Sequence, residues 1–265
     1  MMLAVNEPPV SSQQDTIEAL IAKSSRSEFV SIRRNFVQQG RRSELRGGPL
    51  HLFVNRHDER ALDLYLLARL LASHTPYEAQ QPAAVWARGL GLRGQAGLNA
   101  VSRAWKRLAD MHLIERERRG RDAVIRILLE DGSGSPYAQL GARGDAYFKV
   151  PLQYWSDGWF RRLDLAAKAM SLIALSLPDG FFLPTELAGK WYGVSTDTAE
   201  RGLTTLRKVG LLERQAHFKK APLTAAGYTR EYRYELRPPF GPRWAQSPAV
   251  GATPLGEVVR LQVVS

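Results

Sequence analysis

What most constrains the fold of this 265-residue sequence is that part of it is written twice. Sliding the chain by 98 positions sets Arg103 on Arg201, Trp105 on Leu203 and Leu108 on Leu206. The same offset sets Leu113-Ile114-Glu115-Arg116 on Leu211-Leu212-Glu213-Arg214. Upstream, an offset of 102 sets Arg88 on Lys190 and Gly91-Leu92 on Gly193-Val194. The four-residue difference falls on Arg93-Gly94-Gln95-Ala96, and insertions belong in turns. A repeat of this length predicts two small units, each with its own core.

Periodicity gives the order of elements in each copy. Ala61, Leu62, Tyr65, Leu66 and Leu70 have helical spacing, so residues 58–73 read as a helix with Asp58 and Glu59 in its first turn. Pro82 suits the start of a second helix, and Leu98, Val101, Trp105 and Leu108 form the apolar stripe of a third. Charged residues 115–119, then Gly120-Arg121-Asp122 and an apolar β-branched run, read as a hairpin. The second copy follows suit: an apolar helix over 163–177, a helix opening at Pro184, and a third helix capped by Ser195. A second hairpin follows, in which Tyr232, Tyr234 and Leu236 alternate with Arg233 and Glu235. Helix, helix, turn, helix, hairpin is the order of a winged helix.

The expected layout is a basic N-terminal arm over residues 1–50, a winged-helix domain over 51–130 and a Gly/Ser/Pro linker over 131–146. A second winged-helix domain then spans 147–237, and a Pro/Gly-rich tail spans 238–265. The fold class is mainly α with small β-hairpins, an α+β arrangement. Residues 1–15 read as a disordered leader; Arg33, Arg34, Arg41, Arg42 and Arg46 fit a solvated linker and a DNA-tracking arm equally. In the tail, Val258, Val259, Leu261 and Val263 could form a short strand.

The segments GLNAVSRAWKRLADMHLIERERRGR and STDTAERGLTTLRKVGLLERQ resemble the recognition helix and wing entry of winged-helix proteins. The first copy departs from the pattern at the helix end, where His112 stands for the usual Gly. Two such units in one chain are also similar in layout to plasmid replication initiators of the two-winged-helix type. The resemblance implies duplex-DNA binding, with the third helix of each copy in a major groove. In the first copy, Asn99, Ser102, Arg103, Lys106 and Arg107 are off the apolar stripe, and Arg116, Arg118, Arg119 and Arg121 lie on the wing. The second offers Thr198, Arg201, Thr204, Thr205 and Lys208 on the helix, and Lys219, Lys220 and Arg230 on the wing. Arg103 and Arg201 share a repeat position and are the expected base readers, because an arginine fork matches guanine.

Charge agrees with a polyanionic partner. The formal net charge is +11, from 37 Lys+Arg against 26 Asp+Glu. The absence of cysteine excludes disulfides, iron–sulfur clusters and thiolate catalysis. Gly89 to Gly94 fits G-x-G-x-x-G, but a helix precedes it where a dinucleotide site needs a strand, so it reads as the turn of a helix-turn-helix. The five histidines show no metal spacing, and no P-loop or HExxH motif is present. Trp155 and Trp159 are expected to pack a domain junction.

The expectation is a non-enzymatic, cytoplasmic, nucleoid-associated protein without cofactor, metal, small-molecule ligand or membrane partner. It would act on double-stranded DNA, with a homodimer compatible. Transcriptional regulation leads, replication initiation is the alternative, and a winged-helix adaptor in a protein complex is the third reading.

Overall fold

The computed structural model describes residues 10–40, 44–120, 122–140 and 146–241. The expectations for residues 1–9, Arg41, Arg42, Arg121, 141–145 and the tail from 242 onward lie outside the described residues. The fold is α+β, with helices packed on small antiparallel sheets.

The N-terminal segment comprises α1 (Gln13–Lys23), β1 (Phe29–Arg33), a 3-10 turn (Arg34–Phe36), β2 (Gln38–Gln39), β3 (Arg46–Gly47) and α2 (Leu50–Asn55). The first repeat unit is α3 (Glu59–Leu71), β4 (Glu78–Gln80), α4 (Ala83–Gly89), α5 (Gly94–Asp110), β5 (Ile114–Arg119) and β6 (Asp122–Ile127). A junction of β7 (Tyr147–Pro151), α6 (Gln153–Ser156) and α7 (Trp159–Arg162) follows. The second unit is α8 (Leu165–Leu175), β8 (Phe181–Phe182), a 3-10 turn (Thr185–Leu187) running into α9 (Ala188–Tyr192), α10 (Thr196–Lys208), β9 (Leu212–Lys220) and β10 (Tyr228–Leu236).

The two units share more than element order. Their sheets are ordered β4-β6-β5 and β8-β10-β9, so in both the short first strand pairs with the last. Their helices start alike. Asp58 and Asp164 cap α3 and α8 by accepting from Ala61 N and Ala167 N, and the Ser195 hydroxyl caps α10 by accepting from Thr198 N. Within α10 a glycine is required: a Cβ on Gly202 would lie 2.5 Å from Ala166 O on α8. The equivalent residue of α5 is the fully buried Ala104.

The N-terminal segment is not an arm. In α1, Ser12 and Asp15 form a capping box, while Ile17 and Leu20 are buried. Gln13 Nε2 donates to Gly89 O at the end of α4, and Gln14 Nε2 donates to Ser156 O at the end of α6. β1 pairs antiparallel with β7, Phe29 opposite Pro151 and Arg33 opposite Tyr147. β3 lies on α9, where a Cβ on Gly47 would sit 2.5 Å from Tyr192 O. Phe36, Phe53 and Tyr65 pack ring against ring, with centroids 5.2–6.4 Å apart. The buried alternation of Val30 and Ile32 and the helical spacing of Ile17 and Leu20 drive this segment into the core; counting its arginines alone gives the arm.

The described part of the expected linker is also held. Glu130, the residue just before it, is fully buried, with Oε2 2.9 Å from Arg33 Nη1 and Oε1 3.1 Å from Arg69 Nη2. The ring of Tyr137 stacks against both guanidiniums, at 4.7 and 4.4 Å. Arg33 also donates to Ala138 O. At the far end of the second unit, Phe240 is buried against Tyr154 and Trp159, so the tail starts inside the core. Trp155 and Trp159, expected at a junction, are buried side chains of α6 and α7. Among the described residues, no helix is long and apolar enough to cross a membrane.

Candidate nucleic-acid interface

α5 buries Gly97, Ala100, Val101, Ala104, Trp105 and Leu108. That stripe packs on α3 and α4, with Trp105 edge-on to Trp86. The opposite face carries Asn99, Ser102, Arg103 and Lys106, all exposed at helical spacing. The Asn99 amide oxygen accepts from Gln95 Nε2 at 3.0 Å. Arg93, exposed at the N-cap position of α5, adds a cation that repeat matching passed over.

Arg107 does not belong to this face. Its guanidinium grips the Asp58 carboxylate through two nitrogens, Nη2 at 2.8 Å, and is half-buried. Asp58 is the N-cap of α3, so Arg107 ties the end of α5 to the start of α3. This hydrogen-bonded pairing raises the Arg107 pKa. Its position off the apolar stripe suggested a DNA contact, but the facing helix end takes it.

α10 presents Arg201, Thr204 and Lys208 to solvent, together with Arg207. Asp197 lies 3.7 Å from Arg201, and Glu200 accepts from Thr185 Oγ1. Thr198 is half-buried and its hydroxyl accepts from Ser195 Oγ, so it serves the cap; Thr205 is also half-buried. The face is therefore less cationic than that of α5.

The hairpins sort their charges by strand parity. In the first, Ile114, Arg116 and Arg118 stand opposite Ile127, Ile125 and Ala123. Ile114, Ile125 and Ile127 are buried against the helices, so Arg116 and Arg118 extend the helix-facing side. The other side holds Glu115, Glu117 and Arg119, with Arg126 and Glu78 beside them. There Arg126 pairs with Glu78 at 2.8 Å and Glu115 at 3.0 Å, and Arg119 reaches Glu78 at 3.3 Å. The Arg126 hydrogen bond holds the Glu78 carboxyl below the usual range. Arg119 is thus matched by carboxylates of its own sheet, while Arg116 and Arg118 share a side without any.

The second hairpin repeats the sorting over longer strands. Leu212, Arg214, Ala216, Phe218 and Lys220 stand opposite Leu236, Tyr234, Tyr232, Arg230 and Tyr228. Leu212, Leu236 and Tyr234 are buried, which makes this the helix-facing side, and it carries no carboxylate. Arg214 and Arg230 lie over the Tyr232 ring at 4.2 and 5.3 Å. The opposite side takes Glu213, Glu231 and Glu235, and there Lys219 pairs with Glu231 at 2.6 Å. Sequence matching missed Arg214, Phe218, Tyr228 and Tyr232 as a set. Counting alternate positions from Leu212 finds them.

Each unit therefore offers an exposed helix rich in donors beside a hairpin whose helix-facing side is cationic. Such groups can bond phosphate oxygens and base edges. No protein-family model, curated protein or solved structure matches this chain.

Proposed function

We propose that this chain binds double-stranded DNA through two tandem winged-helix units, each with its third helix, α5 or α10, in a major groove and its hairpin alongside. One observation carries the reading. In both hairpins the helix-facing side holds arginines and lysines, and every carboxylate stands on the other side. A solvated hairpin has no need to segregate charge in this way, and here it happens twice, with Arg116 and Arg214 at the same repeat position. The shared element order and the shared order of the two sheets support the winged-helix assignment.

The test is salt-dependent binding of the full chain to a labelled duplex, read by fluorescence anisotropy. Affinity should fall linearly on a log–log plot against salt. Arg116→Ala with Arg118→Ala should make the slope shallower by about one unit for each phosphate that is no longer neutralised. Absence of binding at low salt would end the reading in favour of a protein-complex adaptor. We place transcriptional regulation first and replication initiation second. Footprints on genomic fragments separate them, because an initiator protects iterated sites and a regulator protects promoter sites.

A further inference from the structure

The second hairpin ends in exposed apolar side chains. Leu223 is 102% exposed, Phe218 63% and Tyr228 49%, on a chain whose other apolar side chains of that size are covered almost throughout the described residues. Phe218 and Tyr228 pack edge to face, with centroids 5.3 Å apart, just below the tip. The tip is built to hold its shape. Ala221 N donates to Gly227 O, Thr224 N to Ala221 O and Gly227 N to Thr224 O, while the Thr224 hydroxyl donates to Ala221 O. Pro222 fixes the backbone before Leu223. Strands of nine residues carry this loop about 30 Å along the hairpin axis. Residues 214–230 contain Arg214, Lys219, Lys220 and Arg230 and no carboxylate.

An ordered apolar point ringed by cations suits a polyanion with an apolar interior open at its edge. Duplex DNA has that chemistry: phosphates line the groove, and stacked bases can be parted by an inserted apolar side chain. We propose that the tip of the second hairpin is a wedge, with Leu223 entering a base step from the minor groove and Phe218 and Tyr228 behind it. Lys220 and Arg230, on the same side near the tip, hold the flanking phosphates, and the duplex kinks at that step. The inference rests on the duplex-binding reading and adds a deforming activity to it. Among the described residues of the first hairpin there is no exposed large apolar side chain of this kind. The two units thus divide the work, the first holding the duplex and the second bending it.

The experiment uses the full chain and a mixed-sequence duplex of about 30 base pairs, rich in TA and CA/TG steps, with a donor and an acceptor dye at its ends. Binding is read by anisotropy and bending by energy transfer. The wild-type chain should shorten the end-to-end distance as a kink of about 20–90° does. Leu223→Ser, at a position that touches no core, should lose most of the transfer change when compared with wild type at protein concentrations that saturate the duplex in each case. If wild type binds without bending, or if Leu223→Ser bends the duplex as fully, the wedge is wrong and duplex binding stands. If wild type does not bind the duplex at all, both readings fall. Capture by anionic phosphatidylserine vesicles that is lost in Leu223→Ser, without duplex bending, would assign the tip to a lipid surface and overturn the proposal.

Discussion

Arg103 and Arg107 lie one helical turn apart on α5, and their surroundings give them different work. Arg103 stands exposed among Asn99, Ser102 and Lys106, while Arg107 is clamped on the Asp58 carboxylate at the start of α3. Arg103→Ala should leave the unfolding midpoint unchanged and relax preference at one base position, a cost of about 1–3 kcal/mol if the fork reads guanine. Arg107→Ala should do the reverse, lowering stability by about 1 kcal/mol because the pair is partly screened, with little direct effect on affinity. Urea unfolding and binding to a randomised duplex pool, run on both variants, separate the two roles. If both variants bound more weakly to the same degree at unchanged stability, the division would be wrong.

At the scale of elements, both third helices end on a left-handed residue: Gly210 at φ 79° and His112 at φ 55°. Glycine takes this conformation freely, while a side chain with a Cβ costs about 1–2 kcal/mol. His112→Gly should therefore stabilise the chain by up to about 1 kcal/mol, after the extra freedom glycine gives the unfolded chain. A rise in urea midpoint at unchanged slope would show it, whereas a lower midpoint would mean the imidazole contributes packing beyond its strain. The helix ends also show what the sequence could reveal. α3, α5, α8 and α10 were legible because each combines an apolar stripe with a side-chain cap or a turn signal. β4 and β8 were not, since three and two residues are too short to establish a period. The sidedness of the hairpins was written in the parity of Arg116 and Arg214, but it becomes visible only once the buried anchors Ile114 and Leu212 fix which side faces the helices.

The whole molecule depends on the material outside the repeats, and that is the least legible part. Nothing local in Phe29 to Arg33 names Tyr147 to Pro151 as its partner, and nothing at the edge of a Gly/Ser-rich stretch shows that Glu130, just before it, is clamped by Arg33 and Arg69. The two units meet directly where Lys168 of α8, 1% exposed, sends its ammonium to Glu59 at 2.6 Å and Asp63 at 2.7 Å on α3. Burial outweighs the attraction of Lys168 and pushes the Asp63 carboxyl up to about 7. The unfolded chain releases that proton near the ordinary carboxylate value, so between these limits the native state holds more protons than the unfolded one. Stability from this group is complete below about pH 4 and is lost as pH rises through 7. From pH 5.5 to 7.5 the loss should be about 2 kcal/mol, set against a buried pair whose charges need each other. Asp63→Asn keeps the size of the side chain and removes the titration, so the variant should lose correspondingly less stability across the same interval. Subtracting its pH profile from that of wild type removes every other titrating group from the comparison. Equal profiles for the two chains, or a wild type that gains stability relative to the variant as pH rises, would show that Asp63 is ionised throughout and that the two units are joined by a permanent ion pair. The predicted difference would mean that the same junction is weakened above neutrality, at the surface where α3 of one repeat unit is set against α8 of the other.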